Sequence, residues 1–170
     1  MVTRSRTADP GAFRDAMRQW ATGVAVVTTR DAGGPRGTTV NSLVSVSLDP
    51  PTLLISLKRA GRTEEVIRRT GVFTVNVLTA GQRALAERFA RSLPSGGGGF
   101  AGVAHRPSPH GAGPELVGSA AVLTCRATRE VEVADHTLVV AEVTAVRPLS
   151  DGPREPLVYV HRHYRSGAVG

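Results

Sequence analysis

The 170-residue chain is long enough for one hydrophobic core at 41% hydrophobic content, so we predict a single domain over residues 1–170. Its longest apolar runs are far shorter than a membrane-spanning helix, and no apolar stretch follows Arg4 and Arg6, which argues against a membrane span and an export signal. The single cysteine, Cys125, cannot form a disulfide within the chain, so we expect a soluble protein of the reducing cytoplasm.

The net charge of +7 rests almost entirely on arginine, because Lys58 is the only lysine among the 21 basic residues. Guanidinium groups stay charged and match the geometry of phosphate, so a phosphorylated ligand is one expectation. A nucleic-acid partner is not expected, since the basic residues are spread along the chain and aromatic residues for base stacking make up only 4% of it.

The first element in chain order is an amphipathic helix. Asp9 and Pro10 have the pattern of an N-cap followed by a first-turn proline, and the helix is predicted to extend up to Gly23. Residues 1–9 are predicted to be a disordered tail. The apolar residues that recur at helical spacing are Phe13, Met17 and Trp20.

Extended segments follow the helix. Residues 24–29 are rich in β-branched side chains, and a glycine-containing turn at residues 31–35 connects them to a second extended run over residues 37–48. These segments predict a β-hairpin. After Asp49 and two prolines, residues 52–57 predict a third strand.

The middle of the chain predicts two helices that flank another strand. A short helix is expected over residues 62–70, with Gly71 as its stop, and a strand over residues 72–78. A second amphipathic helix is expected over residues 81–90. Residues 92–114, rich in glycine and proline, predict a flexible loop.

Three strands are predicted in the last third, over residues 119–133, 137–146 and 156–160, with the first two joined tightly through Ala134 and Asp135. Most neighbouring strands are joined by hairpins and not by helical crossovers. The predicted fold class is therefore mainly β with short helices (α+β), an antiparallel barrel and not a doubly wound sheet.

Two polar segments are candidates for ligand binding. Residues 37–42 are small and polar at the start of a strand, where backbone N–H groups and hydroxyls could reach a planar heterocycle; a solvated hairpin strand is the alternative. The second segment places cationic side chains at a helix N-terminus, a location that attracts phosphate, although a solvated basic turn has the same composition. Its polar residues are Ser56, Lys58, Arg59, Arg62 and Thr63.

The remaining chemistry-bearing residues give weaker signals. His161 and His163 are predicted on one face of a strand near His136, but no carboxylate or cysteine stands at ligand spacing, so no metal site is predicted. His136 beside Asp135 at a hairpin tip is either a ligand contact or a solvated turn residue. Cys125 lies in an apolar strand and is predicted to be a core residue and not a nucleophile.

Several short segments of the chain together form a recognisable ordered pattern. They are Phe13-Arg-Asp-Ala-Met17, Ala21-Thr-Gly-Val-Ala-Val-Val-Thr-Thr29, Gly37-Thr-Thr-Val-Asn-Ser42, Ser45-Val-Ser-Leu-Asp-Pro-Pro51, Phe73-Thr-Val-Asn-Val-Leu78, Arg88-Phe89, Ala134-Asp-His136 and the end from Tyr159 to Tyr164. In the order and spacing of these segments, the chain resembles the short-chain flavin reductase family from Phe13 to Arg165. The resemblance implies an FMN-binding split barrel and a homodimer.

The resemblance also implies roles for individual residues. The strand start matches a segment that contacts the isoalloxazine ring and ribityl chain, and the basic turn matches a segment that holds the flavin phosphate. His136 and the tyrosine-containing end match contacts to the nicotinamide, and Arg88 with Phe89 match residues near the outer part of the flavin. The implied cofactor-binding residues are Thr38, Thr39, Val40, Asn41, Ser42, Ser56, Leu57, Lys58, Arg62, Thr63, Arg88, Phe89, His136, Tyr159 and Tyr164.

Two positions depart from the family pattern. Relatives commonly have serine and a small residue around the position of Gly61, and glycine at the position of Arg162. An arginine there either favours the additional phosphate of NADPH or obstructs the nicotinamide.

The function implied by the resemblance is reduction of FMN or FAD by NADH or NADPH, with reduced flavin supplied to a separately encoded monooxygenase. Hydride passes between the two cofactors in such proteins, so no catalytic side chain is predicted. The alternative is a flavoprotein that keeps FMN as a prosthetic group without a nicotinamide site. A third possibility, a basic nucleic-acid or scaffold module, would bind no flavin.

Overall fold

The computed structural model describes residues 7–91, 99–148 and 154–167. Within these ranges the helices and strands follow in the order α1 (Pro10–Met17), β1 (Thr22–Gly23), β2 (Ala25–Asp31), β3 (Gly34–Val40), β4 (Val44–Leu48), β5 (Pro51–Lys58), α2 (Arg62–Thr70), β6 (Val72–Val77), α3 (Arg83–Phe89), β7 (His105–Arg106), β8 (Glu115–Leu116), β9 (Ala121–Val133), β10 (His136–Pro148), β11 (Leu157–Val160) and β12 (His163–Ser166). None of the described helices has the length and apolar content needed to cross a bilayer.

Seven strands form one antiparallel sheet in the order β3-β2-β6-β9-β10-β5-β4. The sheet curls, so that the chain leaving edge strand β3 comes close to β5 near the opposite edge. At this point the Ser42 hydroxyl donates to the Ser56 carbonyl (2.9 Å) and accepts from the Ser56 N–H (3.1 Å). A smaller sheet has the order β1-β11-β12. This arrangement confirms the predicted mainly β, antiparallel barrel with short helices.

The prediction of one extended strand over residues 37–48 is wrong. The chain leaves β3 after Val40 and begins β4 at Val44, and the two strands lie at opposite ends of the sheet order. The interruption at Asn41–Leu43 is fixed by the two hydrogen bonds between Ser42 and Ser56, which join residues distant in sequence. The hairpin of β2 and β3 is confirmed.

The opening helix is shorter than predicted. Asp9 caps it, with Oδ2 accepting from the Ala12 N–H at 2.8 Å, but the helix ends at Met17 because the chain then enters β1, where Thr22 pairs with Tyr159. None of its residues is buried, and its apolar side chains, with Trp20 beyond its end, are exposed. Residues 1–6 of the predicted tail lie outside the described residues.

The core has two parts. One fills the barrel and contains Ile55, Phe73 and Cys125, all fully buried. Burial raises the pKa of the Cys125 thiol to about 12, which confirms its prediction as a core residue. The other part lies outside the barrel, where the rings of Phe89 and Phe100 pack in a tilted arrangement with centroids 5.0 Å apart.

The described part of the predicted flexible loop, residues 99–114, packs on the barrel. Phe100 is buried, and the hydroxyls of Thr74 and Thr28 donate to the carbonyls of Gly113 (2.6 Å) and Pro114 (2.7 Å). A Cβ at Gly113 would lie 2.0 Å from the Thr28 carbonyl carbon, so only glycine permits this approach of the two backbones. Residues 92–98 of the loop prediction lie outside the described residues.

Candidate functional site

The two polar segments meet at one cavity of about 660 Å³, a size typical of sites for small-molecule ligands. One part of the lining is formed by residues 37–42, here called the strand wall, and another part by residues 56–64, here called the helix wall. Arg36, Ala90, Arg91 and His136 complete the described lining. Of the predicted contact residues, the cavity is lined by Thr38, Thr39, Val40, Asn41, Ser42, Ser56, Leu57, Lys58, Arg62, Thr63 and His136.

The strand wall is supported from behind by α3. The Thr39 hydroxyl donates to the Ala86 carbonyl at 2.7 Å, and Phe89 packs against Gly37 so closely that a Cβ there would lie 2.9 Å from Phe89 Cδ1. Both contacts are made by a helix that the sequence predicts, but its position against β3 depends on the tertiary fold. The side chains of the strand wall carry no charge, and the two contacts with α3 hold its backbone in place.

The helix wall leads into the N-terminus of α2. Gly61 is the N-cap residue and makes no side-chain capping hydrogen bond, and the N-terminus of a helix is a place that favours an anion. The turn before it is tight: Ala60 has a φ of 56°, and a Cβ at Gly61 would lie 2.9 Å from the Lys58 carbonyl oxygen. The departure from the family pattern at Gly61 thus suits the conformation of this turn.

Cationic side chains dominate the electrostatics of the cavity. Among the lining residues that the structure describes, Glu64 is the single acidic one, and its buried carboxylate accepts a hydrogen bond from the Thr137 hydroxyl at 3.1 Å. The positive side chains are Arg36, Lys58, Arg59, Arg62 and Arg91. Such a cluster beside a helix N-terminus favours a ligand with a dianionic group.

His136 begins β10 directly after the Ala134-Asp135 turn. Its Nδ1 lies 2.9 Å from Asp135 Oδ1, and because an ionised carboxylate only accepts, Nδ1 carries the donated proton and Nε2 is left to face a ligand. The hydrogen bond from His136 lowers the pKa of Asp135 below its ordinary value. The tip of this hairpin therefore presents an oriented imidazole at the cavity.

Comparison with known proteins assigns the family. The model of the flavin reductase like domain matches residues 17–168. The chain belongs to this family. The FMN reductase (NADH) RutF 2 of Methylorubrum extorquens (strain PA1) is 39% identical over 154 residues, which are 91% of this chain and 87% of that relative.

Solved structures agree with the assignment. The NADH:FAD oxidoreductase SgcE6 of Streptomyces globisporus C-1027, in complex with NAD and FAD fragments, is 30% identical with a TM-score of 0.86, over 97% of this chain and 98% of that one. The styrene monooxygenase flavin reductase (SMOB) of Pseudomonas putida S12 is 33% identical with a TM-score of 0.79, over 93% and 99% of the two chains. The split-barrel fold is thus shared with flavin reductases.

Four residues predicted to contact cofactors do not line the cavity of this flavin reductase domain. Arg88 Nη2 donates to the Ala101 carbonyl at 2.8 Å, and Phe89 is buried beneath Gly37. Tyr159 and Tyr164 are cross-strand neighbours with ring centroids 5.2 Å apart. Their cofactor contacts stay predictions, and Phe89 supports the strand wall from behind.

The histidines near the C-terminus are arranged differently from the prediction. His161 and Arg162 form the turn between β11 and β12, with φ values of 51° and 67°, so His161 and His163 do not share one strand. His161 Nε2 lies 2.9 Å from Gln19 Oε1. Within residues 7–91, 99–148 and 154–167 no three potential ligands cluster as a metal site.

Sequence reasoning missed several cavity residues. Arg36 immediately precedes the recognised polar segment, so its position in the chain was a usable signal. Glu64 is not among the predicted contact residues, and its buried carboxylate is bonded to Thr137 from a strand distant in sequence. Ala90 and Arg91 reach the cavity from the end of α3, for which the local sequence contains no signal.

Proposed function

We propose that this chain is an NAD(P)H:flavin oxidoreductase that reduces FMN or FAD and supplies the reduced flavin to a separate monooxygenase. The observation that carries the proposal is the cavity that is lined by the uncharged strand wall, the cationic helix wall and His136. The relative named as an NADH-dependent FMN reductase supports NADH as the reductant. The neighbour named as a styrene monooxygenase flavin reductase supports an oxygenase partner.

The helix wall fits the phosphate of a flavin nucleotide. Lys58, Arg62 and the first-turn N–H groups of α2 would hold the dianion, with the Thr63 hydroxyl beside them. The missing side-chain cap at Gly61 supports this use, because a capping oxygen would occupy the same N–H groups. The charge at this end of the cavity thus matches the charged end of the ligand.

The strand wall fits the uncharged ring system. Its backbone groups and the side chains of Thr38, Asn41 and Ser42 would orient the flavin, while Phe89 keeps Gly37 in place behind it. A bound flavin supplies the acceptor for a hydride from reduced nicotinamide. The protein then needs to bind, orient and exclude water, and no acid or base among its side chains is essential.

His136 would contact the nicotinamide. With Nδ1 engaged by Asp135, Nε2 can accept a hydrogen bond from a carboxamide N–H. Resemblance to the family extends the nicotinamide contacts to Tyr159 and Tyr164, and the outer flavin contacts to Arg88 and Phe89. We include these four as proposed contacts made once the ligands or a second copy of the chain complete the site.

A homodimer is part of the proposal. Apolar side chains are exposed on and after α1 and along the edge strand β4, where Leu48 is 88% exposed. Burial of such a surface against a second copy would remove it from water. The exposed residues in question are Phe13, Met17, Trp20, Val44, Val46 and Leu48.

A cytoplasmic location is proposed because the only cysteine is a buried free thiol.

The purified protein tests the proposal directly. Titration calorimetry with FMN and with FAD measures binding, and the loss of NADH or NADPH absorbance in the presence of each flavin measures turnover. We expect saturable turnover that requires added flavin. Failure of both flavins to bind would overturn the proposal, whereas a flavin that copurifies and is not exchanged would favour the prosthetic-group alternative. Light scattering at several concentrations measures the dimer.

A further inference from the structure

Arg59 connects the helix wall of the cavity to the β9–β10 hairpin, which carries His136. Its backbone N–H donates to the Asp135 carbonyl at 2.9 Å, and its Nη1 donates to the Ala134 carbonyl at 3.2 Å. Its Nη2 forms an ion pair with Glu132 Oε2 at 3.0 Å. All three partners lie in the β9–β10 hairpin, immediately before His136.

These contacts begin where the β-sheet pairing stops. Lys58 pairs with His136 as the last pair between β5 and β10, and the chain then turns through Ala60, with its positive φ, into α2. Beyond that pair, the described contacts that hold the turn to the hairpin are those of Arg59. Arg59 thus holds the turn before α2 to the hairpin next to His136, while the hydrogen bond between Thr137 and Glu64 joins the first turn of α2 to β10.

We propose that Arg59 is a positioning residue, which helps to fix His136 relative to the N-terminus of α2 in the lining of the cavity. The inference rests on the proposed function, since it assigns the two ligands to those two groups. It differs from a simple phosphate contact, because the Arg59 guanidinium is directed at the hairpin by Glu132 and Ala134. The two roles predict opposite effects on FMN binding when Glu132 is removed.

Glu132→Ala separates the two roles. Glu132 is not among the cavity-lining residues, and its side chain is 67% exposed, so the variant is expected to fold. If Arg59 positions the site, we expect the variant to raise the Kd for FMN and the KM for NADH about threefold. If Arg59 instead acts as a direct cation for the phosphate, release from Glu132 would tighten FMN binding, and that result would overturn the proposal.

The matched control is Glu142→Ala. Glu142 forms an ion pair of the same kind with Arg126 at 2.6 Å, on the same two strands but away from the cavity. We expect FMN binding and NADH turnover unchanged in this variant. A change equal to that of Glu132→Ala would show a general effect of removing charge from the hairpin and would overturn the specific role of Arg59.

A second variant tests the route through His136. Arg59→Met keeps an unbranched apolar stem and removes the side-chain donors, and we expect the KM for NADH to rise about fivefold with kcat retained. In a His136→Ala background the same change should have no further effect on that KM. Independent, multiplying effects would overturn the proposal, and thermal unfolding of each variant verifies that it is folded.

The wild-type protein is measured first with FMN and NADH. If it binds neither FMN nor FAD, the proposed function fails, and with it the assignment of ligands. If it binds and reduces FMN while Glu132→Ala behaves like Glu142→Ala, only the role of Arg59 fails.

Discussion

The two walls of the cavity are built in different ways. The side chains of the strand wall are uncharged. Its backbone is packed tightly, because Phe89 lies behind Gly37 and the Thr39 hydroxyl donates to the Ala86 carbonyl of α3. The helix wall is cationic and partly exposed, and its turn is held by hydrogen bonds and an ion pair of Arg59. The strand wall thus gives the cavity its shape, and the helix wall gives it its charge. Substitutions in the strand wall should alter stability and the geometry of the cavity, whereas substitutions in the helix wall should alter affinity for the charged group of the ligand.

Gly37→Ala should have the largest effect, because the added Cβ would lie 2.9 Å from a fully buried phenylalanine ring. We expect a loss of about 1–3 kcal/mol in the free energy of unfolding, measured by urea denaturation, together with weaker binding of riboflavin and FMN alike.

Gly81→Ala is the control for this change, since a Cβ at Gly81 meets nothing within 4 Å. The second substitution Phe89→Leu should recover part of the stability lost in Gly37→Ala. An equal loss in the free energy of unfolding in Gly37→Ala and Gly81→Ala would contradict the conclusion that the strand wall is tightly packed.

Arg62→Ala should affect affinity and not stability. We expect FMN to bind about tenfold more weakly, with a smaller loss at high salt, while riboflavin, which lacks the phosphate, binds as before. Fluorescence titration of both flavins at two salt concentrations measures this. Arg68→Ala, at the other end of α2 and outside the cavity, is the control. Equal weakening of riboflavin and FMN by Arg62→Ala would show that charge and shape are not supplied separately.

His136→Ala should have the smallest effect, a rise in the KM for NADH of about fivefold with kcat retained. The same change removes the hydrogen bond that lowers the pKa of Asp135, so that pKa should rise toward its ordinary value. Because the folded pKa is the lower one, the pair contributes to stability at neutral pH, and the contribution is lost as the pH falls through the folded pKa.

NMR titration of the Asp135 carboxyl in both proteins measures the pKa change. An unchanged Asp135 pKa in His136→Ala would mean that the imidazole is not oriented by this carboxylate. An unchanged KM for NADH would remove His136 from the nicotinamide site.

Elements whose signals are local could be predicted with accuracy. The prediction for α2 over residues 62–70 is confirmed to the residue, since Gly71, in a left-handed conformation with a φ of 70°, stops the helix. The break between β3 and β4 could not be predicted, because the reason for it is the distant Ser56. The end of α1 at Met17 likewise depends on pairing of Thr22 with Tyr159.

The candidate site divides along the same line. Each wall is a contiguous segment, so its polar residues stood out in the sequence and the structure brings them together at the cavity. Arg91 and Glu64 required knowledge of the tertiary fold, because α3 and Thr137 place them there. The four predicted contacts outside the cavity came from the family resemblance and not from a physical pattern in this chain.

The burial of Cys125 has a consequence for the durability of the protein under aerobic conditions. Reduced flavin released into air generates hydrogen peroxide, which attacks thiolates in preference to thiols. With its pKa raised to about 12, Cys125 stays protonated at neutral pH, and the barrel shields it from solvent. The only sulfhydryl of this chain is thereby protected from the oxidant that its own proposed product forms.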